Sequence, residues 1–127
     1  KKALIIDIDL HYGDGTANIF TSQPNVTYYH PEGTSRQAYI DTLSKFLQDY
    51  KDSFDILAIS AGFDRHEQDW GGQLKTQDYQ TIGTLAKEVA DNKCNNRIFA
   101  VLEGGYNHNV LGKNVKALLN GMTQRNR

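Results

Sequence analysis

The chain has 127 residues, of which 39% are hydrophobic and 23% are charged, a composition typical of one globular domain. Its net charge of −1 gives no electrostatic reason to expect direct binding to nucleic acid or to an anionic membrane. No apolar stretch approaches the roughly 18 residues that a membrane span needs, and no signal peptide opens the sequence, so we expect a cytoplasmic protein. The single cysteine, Cys94, lies in a polar stretch and is interpreted as an incidental loop thiol.

The first predicted strand carries the most informative residues. An apolar run over residues 3–11 indicates a buried strand that ends before two glycines. Side chains two apart on a strand share a face, so Asp7, Asp9 and His11 would point to the same side. Gathering two carboxylates and an imidazole is costly unless a metal ion or another partner compensates their charge. The alternative is that Asp7 and Asp9 cap backbone amides in a turn and that His11 is an ordinary polar residue.

The rest of the chain alternates strands with helices. The predicted elements are a turn or short helix at 16–20, a strand at 26–29, a helix capped by Thr34 or Ser35, a strand at 54–64, a helix capped by Thr76, a strand at 98–102, and a helix at 109–120 that ends at Gly121. Strands separated by helices pair in parallel with right-handed crossovers. The predicted fold class is therefore α/β, an open three-layer parallel sheet with helices on both faces.

Three of the predicted strands end in residues that can carry chemistry. They are Asp7, Asp9 and His11 after the first strand, Asp64 after the third, and Gly104, Gly105 and Tyr106 after the last. Ligands of parallel sheets bind outside the carboxyl ends of the strands, so these residues are expected to meet. Three protein ligands are what a catalytic zinc site uses, and Asp9, His11 and Asp64 supply that number. The alternative is a solvated polar rim. The remaining histidines, His30, His66 and His108, are predicted to be surface or loop residues.

Three sequence blocks resemble the C-terminal signature blocks of the histone deacetylase family, which includes acetoin-utilisation and acetylpolyamine amidohydrolase proteins. They are Asp7-Ile-Asp9-Leu-His11-Tyr12-Gly13-Asp14-Gly15-Thr16, then Gly62-Phe63-Asp64 with Asp69 shortly after, and Leu102-Glu103-Gly104-Gly105-Tyr106-Asn107. The resemblance implies a fold of the arginase–deacetylase type. It also implies that residues 1–127 form a single α/β domain, the C-terminal part of a larger deacetylase catalytic domain.

The resemblance further implies a role for each matching residue. The expected zinc ligands are Asp9, His11 and Asp64, the catalytic tyrosine is Tyr106, the substrate loop contains Gly104 and Gly105, and Asp7 and Asp14 orient the two histidines of the family's catalytic dyad. A monovalent cation is expected near Asp7. The implied reaction is hydrolysis of the amide of an acetylated lysine or of a small acetylated amine such as an acetylpolyamine.

The sequence also departs from the family pattern. The paired histidines of the family lie upstream of the first block, and no His-His pair occurs in this chain. Tyr12 stands where many members have a second histidine, and Trp70 stands where a proline is often found. The isolated chain is therefore expected to be a poor catalyst of amide hydrolysis. Two alternatives stay open: a non-catalytic, metal-containing module that binds acyl groups, and an arginase-like hydrolase with two metal ions.

Overall fold

In a computed structural model, which describes residues 1–124, the chain forms a four-stranded parallel sheet with helices between the strands. The elements are β1 (Ala3–Asp7), α1 (Asp14–Phe20), β2 (Val26–Tyr29), α2 (Arg36–Asp49), β3 (Ile56–Ala61), α3 (Thr76–Cys94), β4 (Ile98–Leu102) and α4 (His108–Met122). The strand order is β2-β1-β3-β4, and every neighbouring pair is parallel. The predicted α/β class is confirmed.

One face of the sheet carries the hydrophobic core. Leu4 and Ile6 of β1 lie beside Leu57 and Ile59 of β3, and all four are buried. They belong to one cluster with buried side chains of α2, α3 and α4. Along the sheet, the connection from β1 to β2 runs in the direction opposite to the connections from β2 to β3 and from β3 to β4. Because these connections are right-handed, α1 lies on the face of the sheet opposite to α2 and α3.

The other face is only partly covered. The short helix α1 contacts β2 and contains no buried residue. Strand β4 forms an edge of the sheet, and Phe99 and Val101 on it are 45% and 51% exposed. Strands of a parallel sheet are normally covered on both faces, so this exposure is unusual.

Helices α3 and α4 pack closely because each contributes a glycine to their contact. A Cβ at Gly121 would contact Gln80 O and would lie 2.7 Å from Thr84 N, and a Cβ at Gly83 would contact Leu118 O. Gly121 was predicted to end the last helix, but α4 continues to Met122 and Gly121 is buried. Its small size serves the packing of the two helices.

Other boundaries differ where side-chain contacts override the sequence pattern. Strand β1 stops at Asp7 instead of residue 11, and β3 covers 56–61 instead of 54–64. The N-cap of α3 is Lys75 and not Thr76, because the Asp78 carboxylate accepts a hydrogen bond from Lys75 N at 2.7 Å. The predicted strands at 26–29 and 98–102 and the Ser35 cap are confirmed.

Cys94 is not a loop thiol. It is the last residue of α3 and is 1% exposed within the hydrophobic core, where burial raises the pKa of its thiol. Its Sγ lies 3.4 Å from the carbonyl oxygen of Arg97, to which it donates. The polar residues around it in the sequence hid the fact that the helix turns this side chain inward. Within residues 1–124, no helix is both long and apolar enough to cross a membrane.

The glycine contact between α3 and α4 gives a test of the packing. Gly121→Ala should lower the free energy of unfolding by about 1–3 kcal/mol, the usual cost of overpacking, because the new methyl group would meet the α3 backbone. Gly112→Ala in the same helix is the matched control. A Cβ there meets nothing within 4 Å, so the change should stabilise the helix by up to about 1 kcal/mol. Urea unfolding of both variants measures the difference, and equal effects would contradict the described packing.

Candidate metal centre

Two consecutive turns follow β1, each closed by a hydrogen bond between an aspartate side chain and a backbone N–H. These turns bring Asp9 and His11 to the carboxyl edge of the sheet. Asp7 Oδ1 accepts a hydrogen bond from Asp9 N at 3.0 Å, and Asp9 Oδ1 accepts one from His11 N at 2.9 Å. The carboxylates therefore do cap backbone amides, as the alternative interpretation of the sequence proposed. Capping does not exclude a metal site. The hydrogen bond from His11 N brings His11 close to Asp9, and the second carboxylate oxygen of Asp9 takes no part in that bond.

Asp9, His11 and Asp64 form the one group of three or more metal-ligating side chains found in residues 1–124. One ligand atom from each lies within 4.8 Å of the others. His11 Nδ1 is 3.4 Å from Asp9 Oδ1 and 3.2 Å from Asp64 Oδ2. The carboxyl ends of β1 and β3 are neighbours in the sheet, which explains how residues 55 and 53 positions apart meet. The expected gathering of these three residues is therefore present, while their role as zinc ligands stays a prediction.

The environment of the Asp64 carboxylate is one in which a bound cation would be stabilising. The residue is fully buried, and its Oδ1 accepts a hydrogen bond from Leu10 N at 2.9 Å, whereas Oδ2 has no hydrogen-bond partner. Burial raises the pKa of this carboxyl, and the nearby charge of Asp9 raises it further against the lowering effect of the Leu10 N–H. A buried carboxylate oxygen without a donor is rare in proteins, and a bound divalent cation would compensate it. The residues present therefore fit a metal ion.

Two glycines make room for the carboxylates. A Cβ at Gly104 would lie 2.6 Å from Asp9 Oδ2 and 2.9 Å from Asp64 Oδ2, and a Cβ at Gly62 would contact Asp9 Oδ2 as well. Gly104 N also donates a hydrogen bond to Asp9 Oδ2 at 2.9 Å. The family resemblance places Gly104 in the substrate loop, and the structure adds that its backbone holds a carboxylate of the cluster.

The cluster opens into a cavity of about 430 Å³. Its lining includes Asp9, His11 and Tyr106, together with Asp7 and Gly104. The Tyr106 side chain is 48% exposed, which leaves its ring accessible at the cavity. Gly105, next to it, has a φ of 143°, a backbone conformation that side chains with a Cβ rarely adopt.

The two other predicted acidic residues differ in position. Asp7 is buried, and its Oδ2 accepts a hydrogen bond of 2.5 Å from the Tyr28 hydroxyl. Burial and this bond raise the pKa of Tyr28, so the phenol keeps its proton. Asp14 is exposed at the start of α1 and is not among the residues that line the cavity. The roles of Asp7 and Asp14 in orienting histidines stay predictions.

Two of the remaining histidines are not surface residues. The side chain of His30 is 6% exposed, and its Nε2 lies 2.8 Å from the carbonyl oxygen of Asp9. His66 is 2% exposed, its Nδ1 accepts a hydrogen bond from Gln68 N, and its Nε2 lies 3.3 Å from Thr76 Oγ1. Burial lowers the pKa of His66. Both residues lie in loops, as predicted, but their rings are buried because polar groups accommodate them. His108 is exposed, as expected.

Sequence reasoning missed two residues that contact Tyr106. Trp70 stacks on the Tyr106 ring and also meets the His11 ring edge-on. The Asp69 carboxylate accepts a hydrogen bond from Tyr106 N. Asp69 was included in a motif without a role, and no local signal in the sequence indicates a contact that spans 37 residues.

The sequence pattern of the family described as "Histone deacetylase domain" matches residues 1–31 and 28–122. The chain belongs to the histone deacetylase family. Among the relatives of this deacetylase-family chain, histone deacetylase 10, chloroplastic, from Oryza sativa subsp. japonica is 28% identical over 151 aligned residues, which cover 91% of the chain and 34% of the relative. A probable deacetylase from Archaeoglobus fulgidus is 26% identical, and the alignment covers 84% of the chain and 39% of that protein.

Solved structures show the same fold for this histone deacetylase family member. The acetylpolyamine aminohydrolase from Burkholderia pseudomallei superposes with a TM-score of 0.78 at 22% identity, covering 94% of the chain and 44% of that structure. The HDA15 HD domain gives a TM-score of 0.75 at 24% identity with the same coverage. The arginase–deacetylase type of fold is therefore confirmed. The chain spans only about a third of the length of the rice relative.

Divalent metal should stabilise the folded chain through the cluster. At a free Zn²⁺ concentration of 100 times the dissociation constant, the free energy of unfolding should rise by about 2.7 kcal/mol, because the ion binds only the folded state. His11→Ala removes one ligand and should abolish most of this gain. His108→Ala is the matched control, since it removes an exposed histidine outside the cluster. Chemical unfolding with Zn²⁺ and with EDTA measures the effect, and an undiminished gain in His11→Ala would exclude this cluster as the site.

Proposed function

We propose that this chain is the metal-binding, C-terminal part of a larger zinc-dependent deacetylase domain that hydrolyses the amide of an acetylated amine. The substrate class would be an acetyl-lysine-like amide or an acetylpolyamine. The observation that carries the proposal is Asp64 Oδ2, which is buried without a hydrogen bond beside Asp9 and His11. Asp9 and His11 in turn line an open cavity. Membership of the histone deacetylase family and the cavity-lining Tyr106 support the same reaction.

Zinc bound by Asp9, His11 and Asp64 would supply a Lewis acid that polarises the acetyl carbonyl and acidifies a bound water. Tyr106 would donate a hydrogen bond from its hydroxyl to the carbonyl oxygen as negative charge develops there. The surroundings suit that role, because desolvation and the charges of Asp64, Asp9 and Asp69 raise the pKa of the phenol. The hydroxyl therefore keeps its proton at neutral pH and can donate it to a hydrogen bond.

Two backbone N–H groups close to Tyr106 are not available as oxyanion donors. Gly104 N donates to Asp9 Oδ2, and Tyr106 N donates to Asp69 Oδ2. Both N–H groups are occupied by carboxylates, so neither is free to bind a developing charge. The hydroxyl of Tyr106, which lines the cavity, is the donor that we propose.

We propose that the groups that move protons come from another part of the domain. The Asp7 carboxylate already accepts hydrogen bonds from Tyr28 and Asp9, and Asp14 lies outside the cavity lining. We propose that both act on histidines contributed by another part of the domain. Asp7 is also the proposed neighbour of a monovalent cation.

The open edge of the sheet supports a larger domain. Strand β4 leaves one side unpaired, and Phe99, Val101 and Leu102 are 45%, 51% and 61% exposed. The relatives are longer than this chain, and the superposed structures extend beyond the part that it matches. Further strands and helices would cover this apolar surface.

The two alternative functions have less support. An arginase-like hydrolase needs ligands for a second metal ion, and residues 1–124 contain one cluster with three ligands. A non-catalytic module that binds acyl groups would keep the metal and the cavity without turnover. Metal content and hydrolysis measured on the same sample separate these cases, since two metal ions per chain would favour the first alternative.

The isolated chain should bind zinc but hydrolyse acetyl-lysine peptides slowly. General acid–base groups typically contribute about 10²- to 10⁴-fold to a rate, and we expect a deficit of that size relative to a complete deacetylase. Zinc content by mass spectrometry and product formation with and without chelator test this. Rapid, chelator-sensitive turnover by residues 1–127 would show that the missing dyad is not needed, and no bound zinc would refute the proposed metal centre.

The role of Tyr106 is tested in a complete deacetylase that contains this chain. Tyr106→Phe should lower kcat by about 10²- to 10³-fold, the usual effect of losing one oxyanion donor. Zinc content and melting temperature should stay unchanged, because the ring remains and half of it is exposed. Tyr12→Phe is the control, since Tyr12 is an exposed phenol that also lines the cavity. An unchanged kcat in Tyr106→Phe would remove the hydroxyl from the mechanism.

A further inference from the structure

We propose that Asp69 and Trp70 are positioning residues that hold Tyr106 at the metal centre, Asp69 through the Tyr106 backbone and Trp70 through its ring. The inference rests on the proposed function, in which the Tyr106 hydroxyl acts on the substrate. It assigns a task to two neighbouring residues that lie outside both the metal cluster and the hydrophobic core.

The Asp69 carboxylate binds the backbone of the Tyr106 loop directly. Its Oδ2 accepts hydrogen bonds from Tyr106 N at 2.8 Å and from Asn107 N at 2.9 Å. Its Oδ1 accepts a third from Trp70 N at 2.7 Å. One carboxylate therefore ties the loop after β4 to the loop after β3, across 37 residues of sequence. Hydrogen bonds to an ionised acceptor are stronger than those between neutral groups, so this link is well suited to fix the backbone.

The charge state of Asp69 supports this link at neutral pH. Partial burial alone would raise the pKa of its carboxyl, but the N–H groups of Asn107, Tyr106 and Trp70 outweigh it and lower the pKa below its ordinary value. The group is consequently an acceptor of several hydrogen bonds at once. An asparagine in its place has one acceptor oxygen and cannot serve all three N–H groups.

The Trp70 ring restrains the side chain of Tyr106. The two ring centroids are 4.0 Å apart with an angle of 21° between the planes, which is a stacked arrangement. The same indole meets the His11 ring edge-on, at 5.9 Å and 89°. Trp70 thus lies between the proposed catalytic phenol and a proposed metal ligand, and it fixes the distance between them.

Tyr106 has few other restraints. Its side chain is 48% exposed, and no hydrogen bond to its hydroxyl is present in the part of the chain that the structure describes. Gly105 before it has a backbone conformation that favours glycine, and it has no side chain that could restrain the Tyr106 ring. Asn107 after it caps α4 and donates its side-chain amide to Gln68 O at 2.7 Å. Without Asp69 and Trp70, the loop would keep the hydrogen bonds of Gly104 and Asn107, none of which is made by the Tyr106 side chain.

Positioning differs from a general structural role because both residues are peripheral to the core. Trp70 is 67% exposed, so its removal leaves little buried cavity. A displacement of about 1 Å at a reacting group can cost about 10²-fold in rate, whereas it costs little stability. The proposal therefore predicts large effects on the Tyr106 loop and on catalysis, and small effects on folding and metal binding.

The first experiment uses the chain itself and needs no activity. Trp70 is the only tryptophan, so its fluorescence reports its own environment. In Asp69→Asn, we expect hydrogen exchange of the Tyr106 and Asn107 amides to accelerate at least about tenfold, and acrylamide quenching of Trp70 to change. Asp52→Asn, a change at an exposed acid, is the control and should leave both signals as in the parent. Unchanged exchange and quenching in Asp69→Asn would overturn the proposal.

The second experiment measures whether this positioning acts through the Tyr106 hydroxyl. Hydrolysis of a trifluoroacetyl-lysine peptide is followed in single turnovers with zinc-loaded protein in excess. When Tyr106 is intact, Asp69→Asn and Trp70→Ala should each lower the rate constant at least about tenfold. Neither change should alter zinc affinity more than about threefold. In a Tyr106→Phe background, each should change the rate less than about threefold, because the positioned hydroxyl is already gone.

The outcomes separate the two proposals. Equal losses in the parent and in Tyr106→Phe would assign Asp69 and Trp70 a general structural role and overturn the inference. A chain that binds no zinc, or whose hydrolysis resists chelation, would overturn the proposed function instead. In that case the exchange and quenching results still decide whether Asp69 holds the Tyr106 loop.

Discussion

The carboxylate of Asp64 is the group on which the rest of the site depends. It is fully buried at the end of β3, and only one of its two oxygens accepts a hydrogen bond. Asp9 adds a second carboxylate to the same cluster, and the His11 ring lies beside them. Two carboxylates this close destabilise each other unless a positive charge compensates them. A divalent cation would supply that charge and a contact for Asp64 Oδ2, which supports the proposed metal centre.

The sheet creates this centre by placing turns and glycines at its carboxyl edge. The pairing of β1 with β3 brings the Asp9 turn against Asp64, and the pairing of β3 with β4 adds Gly104 on the other side. Any side chain larger than hydrogen at Gly62 or Gly104 would meet the Asp9 carboxylate. The geometry of the cluster is therefore fixed by the backbone, and the exposed residues around it can vary with fewer consequences for the three clustered side chains.

The sequence was sufficient for the order of the elements and for the gathering of Asp9, His11 and Asp64, because hydrophobic runs mark strands and parallel strands end at one edge. It was not sufficient to predict the backbone conformation that leads from the strands to these three residues. Strand β1 ends at Asp7, since side-chain hydrogen bonds to Asp9 N and His11 N favour turns over a longer strand. The burial of Cys94 and His66 and the contact of Asp69 with Tyr106 depend on residues far away in the sequence. Local periodicity contains no information on such partners.

The edge strand β4 has a consequence for how the chain behaves in solution. Its five residues, Ile98–Leu102, contain no charge, proline or glycine, and several of their side chains are exposed. Natural edge strands usually carry charges or bends that prevent intermolecular strand pairing, and β4 has none within its length. Chains that meet at this edge can extend the sheet from one molecule to the next. In the isolated chain, the strand that holds the Tyr106 loop next to the Asp9, His11 and Asp64 cluster is therefore also the segment from which self-association would begin at high concentration.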